Sequence, residues 1–119
     1  MIQFEGKRRP SDPDSPSRFQ PGDLVRHKRY DYRGVVVDLD LECRASKDWY
    51  RSNQTQPRRE QPWYHVLVDG AAHTTYAAEE NLVSDYTPME IKHPLVEVFF
   101  SAFEGGAYVR NDRPWDPGE

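Results

Sequence analysis

QPWYHVLVDG, residues 61–70, sets Trp63, Tyr64, Val66, Leu67 and Val68 in one short run that stops at Asp69-Gly70. A run this short, rich in aromatic and β-branched residues and bounded by Pro62 and an Asp-Gly pair, reads as a sheet strand over 62–69. The Asp-Gly pair and the small Ala71 and Ala72 turn the chain back, and TTYAA (74–78) supplies the partner strand. Glu79 to Asn81 then form a tight single turn, and Leu82-Val83 a last short strand.

Upstream, VVVDLDL (35–41) alternates with the period of a half-buried strand. Its pattern puts Val35, Val37, Leu39 and Leu41 on one face and Val36, Asp38 and Asp40 on the other. The polar turn RYDYRG (29–34) joins it to a first strand, DLVRHKR (23–29), which follows a turn at Pro21-Gly22. Between Glu42 and Glu60 the chain makes a long excursion, in which Ser46 caps a short helix over Lys47 to Ser52 and Pro57 forbids its continuation. Five short strands without a long helix predict a mostly β fold, a small antiparallel barrel with one helical excursion.

The flanks differ in kind. KRRPSDPDSPSR, within a tail over 1–18, spaces three prolines among polar residues and cannot bury enough apolar surface to offset chain ordering. HPLVEVFFSAFEGGAYVRN (93–111), within an extension over 85–119, is apolar enough to pack back on the barrel. Leu95, Phe99 and Phe103 recur at helical spacing, while Val98 and Phe100 fit a strand as well, and Gly105-Gly106 breaks the segment.

At 119 residues there is room for one core. The formal charge of −4 lies mostly in residues 85–119, and the central 19–84 are near neutral, so binding of a polyanion requires a local patch. Cys43 is the single cysteine, which excludes an internal disulfide. The apolar runs are too short to cross a bilayer and the opening residues carry no apolar signal segment, so no membrane partner and a cytoplasmic location are expected.

No catalytic constellation stands out, and neither an enzyme nor a cofactor is expected. Asp38 and Asp40, with Asp69 or Glu79, could form an acid/base or metal-binding set, but carboxylates alternating along a solvent-facing strand are ordinary. His27, His65, His73, His93 and Cys43 show no zinc half-site spacing, and His65 reads as a hydrogen-bonded histidine of the barrel wall. Basic residues interleaved with aromatics are the better candidate. RHKRYDYR supplies Arg26, Lys28, Arg29, Tyr30, Tyr32 and Arg33, and Arg58-Arg59 lie just ahead of Trp63. Such residues pair with phosphates and stack on sugars or bases; equally, they describe a solvated hairpin whose tyrosines cover a barrel end. Trp49, Tyr50 and Trp63 suit a protein-binding groove, or burial inside the excursion.

FQPGDLVRHKRYDYRGVVVDLDLEC, WYRSNQTQP and QPWYHVLVDGAAHTTYAAEENL, spanning 19–84, resemble the hemimethylated-DNA-binding family, also described as YccV-like or HspQ-like. PGDLVRH, YRGVVVD, PWYHVLVDG and TYAAEENL follow in the family's order. The resemblance implies an SH3-like β-barrel over 19–84 and non-enzymatic binding of duplex DNA, with preference for duplexes methylated on one strand. It also implies a rival role, since short bacterial members are heat-shock factors that self-associate and promote degradation of selected substrates by the Lon protease. The longer excursion and the C-terminal extension resemble the form of this domain appended to certain F-box proteins.

Overall fold

A computed structural model describes residues 17–53 and 55–115. The tail expected over 1–18 therefore lies outside the described residues except for Ser17 and Arg18, and the chain end beyond 115 lies outside them too. The elements in order are β1 (Leu24–His27), β2 (Arg33–Asp40), α1 (Lys47–Ser52), β3 (Trp63–Val68), β4 (Thr74–Ala78), a 3₁₀ turn (Glu79–Asn81) and β5 (Leu82–Ser84). After these come a one-turn α2 (Val96–Phe99), β6 (Phe100–Glu104) and β7 (Ala107–Arg110).

Strands β1 to β5 form one antiparallel sheet in the order β4-β3-β2-β1-β5, and β6 and β7 form a separate hairpin. The architecture is mostly β, as the strand patterns predict. Gly105 and Gly106, at φ 61° and 81°, make the two-residue turn of the hairpin, a conformation that strongly favours glycine. The helix α1 starts where Ser46 caps it, its side chain accepting the Trp49 N–H at 3.1 Å.

The alternation in β2 does not run through. Val36 pairs with Val66 but Asp38 pairs with His65, so Val37 is an extra residue, a β-bulge that resets the phase of the strand. Before the bulge, Val36 lies on the face it shares with Phe19, Val25, Tyr64, Val66, Ala77 and Leu82. After it, Leu39 joins that same apolar group, and Asp38 and Asp40 pair with His65 and Trp63 on the opposite face. The expected grouping of Leu39 with Val35 and Val37 is thus corrected, and Leu41 is exposed beyond the strand end.

Nor is β2 half-buried: Val35, Val36 and Val37 are all fully buried. On the second face the hairpin and the segment leading into it do the covering, with Ile91, Phe99 of α2, Phe100 and Tyr108 packed on Leu24, Val35, Val37 and Leu67. A third, smaller cluster forms where the excursion folds over Trp63, Cys43 and Ala78. The three clusters leave a gap on the second face, between the hairpin and the excursion.

Tyr64 ties the first face together. Its hydroxyl donates to Glu79 Oε1 at 2.6 Å and accepts the Phe19 N–H at 3.2 Å, while Glu79 Oε1 also accepts the Arg18 N–H at 2.8 Å. Burial and the Glu79 carboxylate both push the phenol well above its usual range, so it stays protonated and donating. Replacing it, Tyr64→Phe, leaves a buried amide and a carboxylate oxygen short of partners and should cost about 1–3 kcal/mol. Urea unfolding checks this: the midpoint falls while the denaturant slope is unchanged.

Candidate recognition groove

The gap opens into a groove of about 830 Å³ that reaches from the second face of the sheet around the outer edge of β4. Its floor is polar because of the bulge. Asp38 and Asp40 come from β2, His65 from β3 and Tyr76 from β4, paired side by side across the sheet. The Tyr76 hydroxyl donates to Asp40 Oδ2 at 2.7 Å and accepts the Arg44 N–H at 3.0 Å, fastening the excursion to the sheet. His65 Nε2 lies 3.5 Å from Asp40 Oδ2, and its ring stacks on Tyr76 with centroids 4.5 Å apart. Asp38 Oδ1 accepts the Leu39 N–H at 2.9 Å.

Aromatic rings wall the groove on three sides. Trp49 of α1 sets its edge against Trp63 and Tyr76, at 6.0 and 5.6 Å between centroids. Trp115 leans on His65 at 5.6 Å from the hairpin side. At the far end Tyr30 and Tyr32 stack on His27, at 4.7 and 5.2 Å, and the Tyr32 hydroxyl is 2.6 Å from Thr75 Oγ1. His27 Nδ1 accepts the Arg29 and Tyr30 N–H groups, both at 3.1 Å, which keeps that nitrogen unprotonated.

His27 and His65 are both held neutral near pH 7. Burial pulls His65 below its usual range, outweighing Asp40 and Asp38, and burial with the nearby Arg29 does the same to His27. Among the described residues no group of three or more His, Cys, Asp or Glu side chains is arranged to hold a metal ion. Asp69 pairs with Arg33 and Glu79 with Tyr64, so neither stands with Asp38 and Asp40.

The basic residues singled out in the sequence divide into two sets. Arg26 pairs with Asp31 and Asp85, both at 3.1 Å, and Arg33 lies 3.5 Å from Asp69 and 3.4 Å from Asp85. Arg59 donates to the Ala45 carbonyl at 2.6 Å and lies over the Tyr50 ring at 5.0 Å. These three guanidinium groups hold the molecule together. Lys28, Arg29 and Arg58 are exposed, and their side chains have no carboxylate within ion-pair distance among the described residues. Lys28 and Arg29 adjoin Tyr30 at one end of the groove, and Arg58 adjoins Pro57 in the excursion wall.

The aromatic trio divides as well. Trp63 is fully buried and donates its indole N–H to the Arg58 carbonyl at 3.2 Å. Tyr50 is half-buried and donates to the Pro57 carbonyl at 2.6 Å. Trp49, 36% exposed, is the one of the three that offers a ring to solvent. Sequence reasoning passed over Tyr76 and Trp115. The pairing of TTYAA opposite PWYHVLVD could have placed Tyr76 beside His65, but nothing local ties Trp115 to the groove.

The family model described as hemimethylated DNA-binding protein, YccV-like, matches residues 17–107, taking in the five-stranded sheet and most of the hairpin. The chain belongs to the YccV-like family. Curated relatives include F-box only protein 21 of Homo sapiens, Pongo abelii and Mus musculus, each 36% identical over 96 residues. The match covers 78% of this chain but 15% of each relative, so the YccV-like chain spans a small part of those longer proteins. The family is one of DNA-binding proteins by description, not of catalysts.

Proposed function

We propose that this YccV-like domain is a non-catalytic module that binds duplex DNA, with Lys28, Arg29 and Arg58 contacting phosphates and Tyr30 supporting a sugar or base. What carries the reading is that these three cations alone, of the six singled out, keep their charge turned to solvent, in two loops that border one groove. Arg26, Arg33 and Arg59 belong to the frame on this reading, and Tyr32 to the groove end. Strand order β4-β3-β2-β1-β5 with a 3₁₀ turn between β4 and β5 supports an SH3-like arrangement left open at the β4 edge among the described residues.

A salt titration tests the proposal. Log K for a duplex falls by about 0.9 per phosphate contacted for each log unit of salt, so three contacts give a slope near ~2.7 where six would give ~5.4. Hemimethylated, unmethylated and fully methylated duplexes of one sequence are compared at low salt. Lys28→Ala with Arg29→Ala and Arg58→Ala should abolish the binding and its salt dependence together. Undetectable binding at low salt, or a triple variant that binds as well as the parent, sinks the reading.

A second reading is a protein-binding adaptor that promotes degradation of its cargo by a protease such as Lon. It is favoured by the half-exposed Trp49 at the mouth of an aromatic groove and by the match to proteins named for an F-box. Faster turnover of a substrate protein by the protease on adding the domain would support it.

A further inference from the structure

The groove is built for a charge opposite to the one its rim attracts. Of the ionised side chains that line it, Asp38 and Asp40 are negative and lie on the floor, and Arg44 is exposed at the excursion. Each carboxylate keeps one oxygen, Asp38 Oδ2 and Asp40 Oδ1, without a hydrogen bond among the described residues, and Arg110, held on the Val37 carbonyl, balances part of the Asp38 charge from the hairpin side. The rings of Trp49, Tyr76 and Trp115 line the groove with that pair, and of these Trp49 is the one exposed to solvent while Tyr76 carries the stacked His65. Phosphate oxygens brought to this floor would be repelled. A cation sliding over an aromatic face toward a carboxylate gains from both.

The shape of the site also matters. The groove runs along β4, which pairs with β3 on one side and has no strand neighbour on the other among the described residues. An extended chain seated there finds unpaired main-chain groups at the strand edge as well as the rings.

We propose that the groove binds an extended, arginine-bearing segment of a partner protein, with one guanidinium lying over the exposed Trp49 ring and paired with Asp38 and Asp40. Arginine fits better than lysine because its planar fork both stacks on aromatic rings and meets carboxylates with two donors. This site is separate from the phosphate-binding rim, and either can exist without the other.

The test uses the full chain and a fluorescein-labelled heptapeptide, Ser-Arg-Ser-Arg-Ser-Arg-Ser, followed by anisotropy, beside the same peptide with citrulline for arginine. Citrulline keeps the shape and removes the charge. The arginine peptide should bind at least ~10-fold more tightly than the citrulline peptide, with the lysine peptide between them. Asp38→Asn with Asp40→Asn, and separately the exposed Trp49→Ala, should each weaken arginine binding by ~10-fold while the far-ultraviolet circular dichroism stays native. Lys28→Ala with Arg29→Ala and Arg58→Ala should leave peptide binding intact while removing DNA binding. Equal affinity for the arginine and citrulline peptides, no binding up to millimolar peptide, or a natively folded Asp38→Asn, Asp40→Asn variant that binds like the parent overturns the proposal. So does an oligothymidine that competes for the groove, is lost on Trp49→Ala and tightens when the two carboxylates are removed, since the occupant would then be a nucleobase.

Discussion

Replacing Gly22 by alanine is expected to unfasten the C-terminal hairpin and to cost the domain about 3 kcal/mol or more. Gly22 sits at φ 104°, and a Cβ built on it would lie 2.1 Å from the Tyr108 carbonyl oxygen and 3.1 Å from its carbon. The obstacle is main chain, so no rotamer change relieves it. Two hydrogen bonds meet at the same residue, from the Gly22 N–H to Val36 O at 2.7 Å and from the Tyr108 N–H to Gly22 O at 2.9 Å. Moving β7 away would break the second and uncover Leu24, Val35, Val37 and Leu67, which the hairpin shields. Urea unfolding should show a large drop in midpoint, with raised binding of an apolar dye. Gly70→Ala is the control: its φ of 79° carries the backbone penalty, but nothing lies within 4 Å of the added carbon. That variant should lose only about 1 kcal/mol. If the two variants lose stability equally, the close approach at Tyr108 is not what limits residue 22.

Arg33→Met is expected to be of similar severity, about 3–5 kcal/mol, because it strands a buried carboxylate. The Asp85 side chain is 3% exposed and Arg33 10% exposed, with Nε 3.4 Å from Asp85 Oδ1. Arg33 also donates to the Thr87 carbonyl at 3.0 Å and to that of Met89, so one guanidinium pins the segment that leads from β5 to the hairpin. Arg26 reaches Asp85 as well, but its side chain is 39% exposed, and water weakens its share.

The acid limb of the stability profile follows from the same site. Burial alone would raise the Asp85 carboxyl, yet Thr87, with its N–H at 2.8 Å, and the Arg33 and Arg26 charges more than offset it, leaving the group below its ordinary 3.8. A carboxylate depressed in the folded state stabilises it above the unfolded value and loses that contribution as pH falls through the lower, folded one. The parent should therefore lose stability below about pH 4. In Arg33→Met the carboxyl keeps its burial and loses a cation, so its folded value rises toward or past the unfolded one and the acid-linked loss should shrink or reverse. Denaturation from pH 2 to 7 checks both, and a variant whose acid limb coincides with the parent's would show that Asp85 does not depend on Arg33.

Legibility in the sequence tracked how local the cause was. The helix over Lys47–Ser52 is set by Ser46 before it and Pro57 after it, and TTYAA by its own composition, so both were readable. The segment over 93–111 offered helical and strand spacings because it contains both. Phe99 ends the single turn of α2 and Phe100 begins β6, and both are buried. The bulge was hidden: VVVDLDL alternates equally well in either phase, and only the partner strand shows that Val37 is the extra residue. The basic residues failed for a related reason. RHKRYDYR looks uniform, but Asp85, far along the chain, takes up Arg26 and Arg33 and leaves Lys28 and Arg29 outside.

One inserted residue thus decides the character of the groove. Were Val37 paired straight across with His65 and no bulge formed, both aspartates would shift by one place against β3 and turn toward Phe19 and Tyr64, whereas deleting Val37 outright would leave Asp38 opposite His65. Sequences that keep the extra residue but pair it straight would then need a different residue pattern from 38 onward to keep an oily interior, and their outer trough would lose its negative floor. The register of β2 against β3 past Val36 becomes a way of sorting such domains by the ligand charge they can accept.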